Sequence, residues 1–369
     1  MSKNNKWLWI DKENNFHGKN HIGMFDLTKG IAMIAIIFTH CMNDYVNLYA
    51  YLAGESILLK MILGPFTILR YGVVSMLFLS CGYGIRKQSI KKSIKSNLKM
   101  FLIPYAAVTL VILLLVLTKQ LFLGGAVKQR LVYQVLPFLM GLHPGQHRIG
   151  NSMEQIGPIW FFLTYTFGYI YLNIILQEKQ PWVQAVLIGI GSMVALITAN
   201  IIVPLCLQQI LICSGYMYVG MWMKKGKILQ NKLPIYLVII TVLLCEFATA
   251  VGGLVETGSN VYHLGAIDLV ISYIAGIVLL FLCQYLEVLQ GRIAEGLRWV
   301  GRHMMWFCCL HTISYLMVPW NKIAVWFGEN WILGFVFDFT FSFLYALAGS
   351  LILDKILKKF YIKRKDKKK

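Results

Sequence analysis

Apolar runs separated by short polar stretches extend through most of the chain, and their lengths predict its elements. We place helices near residues 24–42, 70–86, 98–118, 157–176, 182–204, 205–223, 234–251, 266–287, 303–320 and 331–353. Most of these runs approach the roughly 20 residues that a helix needs to cross a bilayer. The pattern therefore predicts an all-α polytopic membrane protein with about ten transmembrane helices.

Two connections between the predicted helices are long and only partly polar. Residues 43–69 contain SILLKMILGPFTIL, and residues 119–156 contain LVYQVLPFLMGL. Apolar stretches of roughly 10–14 residues are too short to span a bilayer and suit segments that enter or lie on it. We therefore expect re-entrant or interfacial segments in these two connections.

The composition supports a membrane protein, because only 14% of the residues are charged and 58% are hydrophobic. An ordinary soluble domain is about a quarter charged. The first 22 residues are polar, so we expect no secretory signal and a first apolar run that is retained as a helix. The eight cysteines lie mostly inside apolar runs without a CxxC pair, which favours small buried hydrophobes over disulfides or metal ligands.

The formal net charge of +19 is distributed in a way that predicts orientation. If the N-terminus is cytoplasmic, the inner segments are 1–23, 87–97, 177–181, 224–233, 288–302 and 354–369. These segments and the adjoining helix ends carry 27 lysines and arginines, against six in the outer loops. Because cytoplasmic loops are enriched in basic residues, both termini are predicted to be cytoplasmic. This orientation explains the net positive charge, so the charge does not imply nucleic acid as a partner.

This orientation divides the chain into three parts. We expect a cytoplasmic N-terminal segment over residues 1–23 and a membrane domain over residues 24–353. The basic residues of 354–369 form a cytoplasmic tail suited to the inner, anionic leaflet of the cell membrane.

The first predicted helix carries ionisable groups at both ends. In DLTKGIAMIAIIFTH, residues 26–40, Lys29 and His40 are eleven positions apart with an apolar run between them. At 100° and 1.5 Å per residue they share one helix face, about 16 Å apart. Asp26 lies one turn before Lys29. Ionisable groups inside a membrane usually face a cavity or a pathway, so the spacing marks this face as a candidate site.

Four segments of the chain match a known family in order. FDLTKGIAMIAIIFTH resembles the D-x-L-R-G-I-A opening and the basic-residue–x10–His signature of the first helix in membrane acyltransferases of family three, with Lys29 in place of the commoner arginine. LFLSCGYGI (77–85), GPIWFFLTY (157–165) and GRHMMWFCCLH (301–311) resemble its later motifs. The family's R-x-x-R pair is replaced by Lys95 and Lys99 before Pro104, which keeps the charge but loses the bidentate fork of arginine.

The resemblance implies acyl transfer from a CoA thioester, usually acetyl-CoA, to a hydroxyl group. The donor is a substrate rather than a permanently bound cofactor, and the acceptor is a cell-envelope glycan or a related molecule at the outer side. We expect His40 to be the general base, because an imidazole pKa near 6.5 suits proton transfer at neutral pH. His311 is expected to orient His40, to donate to the oxyanion, or to serve only the structure.

Further residues are assigned by position. The donor phosphates are expected to meet Lys29, Arg86, Lys95 and Lys99, on the cytoplasmic side. Substrate-binding roles are predicted for Asp26, Arg70, Asn151, Glu154 and Trp160. Three acidic residues inside predicted helices, Glu246, Asp268 and Asp338, either line a cavity or pair with neighbouring helices.

Three alternatives stay open on the sequence. The protein could be a family relative that moves another acyl group, such as succinyl, or that modifies an acceptor other than a sugar. Direct transfer and a covalent acyl-histidine relay fit the same residues equally well. A proton-coupled transporter or flippase for a small solute or a lipid-linked glycan would also carry intramembrane Asp, Glu and His residues. The chain has no inverted repeat and no matched pair of Gly/Pro-broken helices, features that such carriers often have.

Overall fold

The computed structural model describes residues 8–10, 16–18, 22–45, 66–123, 136–142, 156–287, 291–328 and 330–366. Its helices are α1 Ile22–Tyr45, α2 Thr67–Gly84, α3 Ile90–Asn97, α4 Ile103–Leu123, α5 Trp160–Ile175, α6 Pro181–Ile197, α7 Leu207–Lys225, α8 Ile235–Ala250, α9 Ala266–Leu286, α10 Arg292–Arg302, α11 Met304–Met317, α12 Trp320–Ala324 and α13 Trp331–Asp366. A π-helical segment, Leu98–Leu102, joins α3 to α4, and a 3-10 turn, Gly157–Ile159, precedes α5.

Two small antiparallel ribbons accompany the helices. Strands β1 Leu8–Ile10 and β2 Phe16–Gly18 pair with Leu8 opposite Gly18. Strands β3 Val255–Glu256 and β4 Val261–Tyr262 pair with Val255 opposite Tyr262, across the 3-10 turn Thr257–Ser259. The second pair, the β3–β4 hairpin, connects α8 to α9.

The apolar helices indicate a multi-pass membrane protein, as predicted. Five segments are long and apolar enough to cross a membrane: Met24–Cys41, Ile90–Lys119, Gly157–Ile175, Ala266–Leu286 and Ile332–Ile356. Three shorter apolar helices are Pro181–Ile197, Ile235–Ala250 and Met304–Met317. Each of the ten predicted intervals overlaps a helix of the structure. The number of crossings and their orientation stay predictions.

The structure departs from the predicted helix bounds in several places. Helices α3 and α10 lie within residues 87–97 and 288–302, which were predicted to be inner connections without a helix. The prediction missed them because IKKSIKSN and RIAEGLRWVGR lack the apolar run on which it depended. The predicted helix 182–204 ends at Ile197, ahead of Pro204, whose ring disfavours helical backbone in the residue before it. Most of the two predicted re-entrant segments, residues 46–65, 124–135 and 143–155, lie outside the described residues.

Helix α2 lies at the centre of the bundle and contacts α1, α7, α8 and α9. Its hydroxyl network with α9 is fully buried: Ser75 Oγ donates to the Ser272 carbonyl at 2.6 Å, and Ser272 Oγ donates to the Tyr71 carbonyl at 2.7 Å. Tyr216 of α7 hydrogen-bonds the same Ser272 hydroxyl at 2.9 Å. Such interhelical hydrogen bonds and small-residue contacts stabilise helix association where lipid removes the hydrophobic driving force.

Glycines set two of the closest helix contacts. A Cβ atom at Gly220 of α7 would overlap the carbonyl of Leu79 in α2, and one at Gly82 would overlap the carbonyl of Met217. On the other side of the bundle, a Cβ at Gly30 of α1 would overlap the Leu297 carbonyl of α10. The missing side chains let these backbones approach closely, so the end of α1 that carries Lys29 is held against α10.

Helix α10 is anchored through one arginine. Arg298 lies 3.4 Å from a Glu287 carboxylate oxygen, donates to the Glu287 carbonyl at 3.1 Å and pairs with Glu295 at 2.8 Å. Because Glu287 directly follows α9, these contacts tie α10 to the end of that helix. The helix is amphipathic, with Ala294, Val300 and Gly301 buried.

We predict that Gly220→Ala destabilises the protein, because its new methyl group must displace the Leu79 backbone. Overpacking of this kind typically costs about 1–3 kcal/mol. Thermal unfolding of the detergent-solubilised protein, followed by intrinsic fluorescence, measures the loss. Gly189→Ala is the matched control, since a Cβ at this helical position meets no atom of the described residues within 4 Å. Equal unfolding midpoints for the two variants would contradict the packing account.

Candidate functional site

Two cavities meet inside the helical bundle. The larger, called the basic cavity, has a volume of about 810 Å³, and the smaller, called the histidine cavity, about 170 Å³. Four apolar side chains line both: Leu77, Phe161, Met304 and Cys308. We call these four residues the apolar wall. The two spaces therefore adjoin at these four side chains.

The basic cavity takes its name from five cationic side chains, which are Lys29, Arg86, Lys224, Lys227 and Arg302. They come from α1, α7, α10 and the segments that follow α2 and α7. Among the described residues that line this cavity none is acidic. Clustered charge of one sign raises the local concentration of counter-charged ligands, so this cavity is suited to an anion.

Aromatic side chains also line the basic cavity. Phe101 of the π-helical segment packs on Tyr165 of α5 with ring centroids 4.5 Å apart, and Phe25 packs on Tyr83 at 5.1 Å. The cavity volume lies in the roughly 300–1,000 Å³ range of small-molecule sites, which are mostly apolar with a few polar groups. Its lining suits a long ligand with an anionic end and a less polar arm.

Two lysines of the basic cavity are held by hydrogen bonds. Lys29 Nζ pairs with Asp26 Oδ1 at 2.8 Å, and its side chain keeps 33% of its surface exposed. Lys224 Nζ donates to the Tyr83 carbonyl at 2.8 Å. An ammonium group has three donors, so each lysine retains hydrogens for a ligand.

The histidine cavity has His40 in its lining, beside Thr39, Arg70 and Trp160. His40 Nδ1 lies 3.0 Å from Nε2 of His311, which is buried in α11 with 1% of its surface exposed. The two rings are inclined by 19° with centroids 5.2 Å apart, and the Tyr315 ring lies 5.1 Å from that of His40. The predicted pair of histidines is therefore in direct contact.

The contact between the two imidazoles allows two proton arrangements. If His311 Nε2 carries the hydrogen, His40 accepts it on Nδ1 and keeps its own hydrogen on Nε2. If His40 Nδ1 carries the hydrogen and donates it to His311, His40 Nε2 has a free lone pair. Only the second arrangement lets His40 Nε2 accept a proton. In it the neutral His311 carries its hydrogen on Nδ1, which has no partner within the described part of the chain.

The structure brings together several residues that the sequence analysis singled out. Lys29 and Arg86 line the basic cavity, and Arg70 and Trp160 line the histidine cavity with His40. Asp26 lines neither cavity and is the ion-pair partner of Lys29.

Other predicted positions lie apart from the cavities. Lys95 is exposed on α3 and lines neither cavity. Asn151, Glu154 and the side chain of Lys99 lie outside the described residues.

The structure also places residues that the sequence analysis did not assign to the site. Lys224, Lys227 and Arg302 had been counted only as topological charges, and their convergence depends on contacts between distant helices. Glu256 and Thr257 line the histidine cavity from the β3–β4 hairpin. No local sequence signal predicts that hairpin, because its strands are two residues long.

The acidic residues inside helices have different surroundings. Asp268 is buried and accepts hydrogen bonds from the backbone N–H groups of Leu254 and Leu264, at 3.2 and 2.9 Å. Asp338 is buried and accepts from Ser342 at 3.0 Å. Neither aspartate, nor Glu246, lines a cavity described above.

Comparison with known proteins assigns the family. A family model described as an acyltransferase domain matches residues 22–355, a range that includes both cavities. No curated protein and no solved structure matches the chain. Because the match covers most of the chain and agrees with the motifs of its first helix, the chain belongs to acyltransferase family 3.

Proposed function

We propose that the protein is a membrane O-acyltransferase that moves an acyl group, in the first instance acetyl, from acyl-CoA to a hydroxyl of a cell-envelope glycan or a related acceptor. The supporting observation is that the basic cavity and the histidine cavity adjoin at the apolar wall. An anionic donor and a hydroxyl-bearing acceptor can thus approach one point from opposite sides.

The basic cavity matches the chemistry of CoA. The nucleotide end of CoA carries phosphate groups, which would bind among Lys29, Lys227 and Arg302. The aromatic part of the cavity would hold the pantetheine arm, with the thioester at the apolar wall. Along α1, Lys29 and His40 are about 16 Å apart, a distance that an extended arm can bridge.

The reaction then requires His40 to accept one proton from the acceptor and to donate it to the leaving group. His40 Nε2 takes the proton of the acceptor hydroxyl, and the oxygen forms a bond to the thioester carbonyl carbon. The carbon–sulfur bond breaks, and the leaving thiolate takes the proton from His40. The hydrogen bond from His40 Nδ1 to His311 holds the ring in the tautomer that this step needs. Close placement of the two substrates supplies much of the rate.

The orientation follows from the charge distribution. With both termini cytoplasmic, the basic cavity faces the compartment that contains acyl-CoA and the histidine cavity faces outward. All of the predicted membrane helices, about ten, would cross the cell membrane in this arrangement. The acceptor would reach His40 without crossing the bilayer.

A carrier is the second candidate, since two cavities on either side of a thin apolar wall also suit alternating access. A proton-coupled transporter or flippase would release its cargo unchanged. The purified protein separates the two functions: an acyltransferase forms free CoA from acetyl-CoA when an acceptor is present, whereas a carrier does not.

We expect His40→Ala to lower kcat for acyl transfer by about 10²–10⁴-fold, the usual contribution of a general base. Binding of acetyl-CoA, measured by thermal stabilisation, should be retained because the nucleotide end binds elsewhere. His263→Ala is the control, because His263 is exposed and lines neither cavity. An undiminished rate in a folded His40→Ala protein would exclude His40 as the base.

A second prediction concerns His311. His311→Phe removes the acceptor for the His40 Nδ1 hydrogen, so we expect kcat to fall by about tenfold or more while the KM for acetyl-CoA is unchanged. His311→Gln retains a carbonyl oxygen that can accept this hydrogen and should lose less. Steady-state kinetics of the two variants test the orienting role. Equal kcat values for His311→Phe and His311→Gln would contradict it.

A third prediction concerns the cations. Lys227→Ala and Lys29→Ala should each raise the KM for acetyl-CoA about tenfold or more, since charge-assisted hydrogen bonds contribute about 1.5–3 kcal/mol and 1.4 kcal/mol corresponds to about tenfold. Lys29→Arg retains the charge and should bind more tightly than Lys29→Ala. The exposed Lys232 lines neither cavity, so Lys232→Ala is the control. If all these variants shared the wild-type KM, the basic cavity would not be the donor site.

A further inference from the structure

The histidine cavity has one wall that does not come from a helix. Val255, Glu256, Thr257 and Gly258 of the β3–β4 hairpin line it, on the chain segment between α8 and α9. None of these four residues belongs to the motifs that identify the family. The catalytic proposal gives the hairpin no role, although it forms part of the space around His40.

Hydrogen bonds fix the hairpin at both of its ends and at its tip. Asp268 binds the backbone at both of its ends, as described above, and Tyr71 donates to the same carboxylate at 3.3 Å. At the tip, Gln209 Nε2 donates to the Gly258 carbonyl at 2.8 Å, and Asn260 Nδ2 donates to the Ala195 carbonyl at 2.9 Å.

The turn between the two strands is buried as well. Thr257, Ser259 and Asn260 each expose less than a twentieth of their surface, and the Tyr262 hydroxyl donates to Thr257 Oγ1 at 3.2 Å. With its backbone and its turn fixed in this way, the hairpin presents Glu256 from a preorganised position.

The lining of the cavity is chemically mixed. Its aromatic and aliphatic side chains include Trp160, Phe161 and Val73. Its polar side chains are Thr39, His40, Arg70, Glu256 and Thr257. Glu256 is the one carboxylate among the described residues that line the cavity, and Arg70 is the one guanidinium. The described part of the lining therefore holds one acidic and one guanidinium side chain.

The size of the cavity limits what can enter. Its volume of about 170 Å³ is below the roughly 300–1,000 Å³ of sites that enclose a whole ligand, so only one end of an acceptor fits. The mixed lining suits a molecule with an apolar face and hydroxyl groups along its edge. A neutral sugar ring has this chemistry, whereas an anionic group would be repelled by the Glu256 carboxylate.

We propose that the β3–β4 hairpin is the acceptor-binding wall, and that Glu256 positions a neutral sugar ring by accepting hydrogen bonds from its hydroxyl groups. The aromatic side chains of the lining receive the apolar face of the ring, and one hydroxyl is left facing His40. This inference rests on the acyltransferase function proposed above and adds the class of acceptor and a positioning residue for it.

The experiment uses the purified full-length protein with acetyl-CoA and two sugars that differ in charge, methyl β-D-glucopyranoside and glucuronate. The wild-type protein should acetylate the methyl glucoside with a higher kcat/KM than glucuronate, because Glu256 repels the carboxylate of glucuronate. Glu256→Gln should raise the KM for the methyl glucoside about tenfold through loss of charge-assisted hydrogen bonds. The KM for acetyl-CoA should not change. The ratio of kcat/KM for the methyl glucoside to kcat/KM for glucuronate should fall.

Two further variants exclude a merely structural effect. Glu246→Gln makes the same substitution on α8, outside both cavities, and should leave both KM values unchanged. Glu256→Asp keeps the carboxylate and should recover part of the acceptor affinity, which a loss of hairpin stability would not allow.

The outcomes separate the two proposals. If the wild-type protein neither binds nor consumes acetyl-CoA, the acyltransferase function fails and this inference fails with it. If it hydrolyses acetyl-CoA but acetylates neither sugar, or prefers glucuronate, the neutral-sugar assignment is overturned. If it acetylates the methyl glucoside and Glu256→Gln has the same KM for that sugar as Glu246→Gln, the role of Glu256 is overturned.

Discussion

The apolar wall is the constraint on which the account of this protein depends. Leu77, Phe161, Met304 and Cys308 separate a cavity rich in cations from a cavity that contains His40. Under the proposed function, a highly charged donor could not cross the hydrocarbon of a bilayer, since unpaired charge is costly there. Only its uncharged thioester end would need to reach the wall. The protein would therefore move an acyl group across the membrane midplane while leaving the carrier on the side from which it came.

The packing of the bundle explains why the two cavities lie back to back. Helix α1 contributes to both, through Lys29 near one end and His40 near the other. The close contact of Gly30 with the Leu297 carbonyl fixes α1 against α10, which brings Arg302 to the basic cavity. The His40–His311 hydrogen bond joins α1 to α11 at the other cavity. The same helix contacts that stabilise the fold thus define the site.

The sequence predicted the features that depend on local pattern. Apolar runs located the helices, and the eleven-residue spacing placed Lys29 and His40 on one face of α1. Helices α3 and α10 were missed because they are short and polar or amphipathic. The presence of Lys227 and Lys29 in the lining of one cavity depends on how distant helices pack, and a single sequence carries no signal for it. Glu256 was missed for a related reason, because its hairpin is shaped by Asp268, which sequence reasoning could only count as a candidate cavity residue.

A structure of the protein with bound acetyl-CoA tests the central claim most directly. The account predicts the diphosphate and 3′-phosphate groups among the cations of the basic cavity. It also predicts the acetyl carbonyl at the apolar wall, within reach of an acceptor oxygen held beside His40. A complex in which CoA binds outside the basic cavity would contradict the account. So would a complex in which the basic cavity and His40 face separate spaces with no route between them for the thioester.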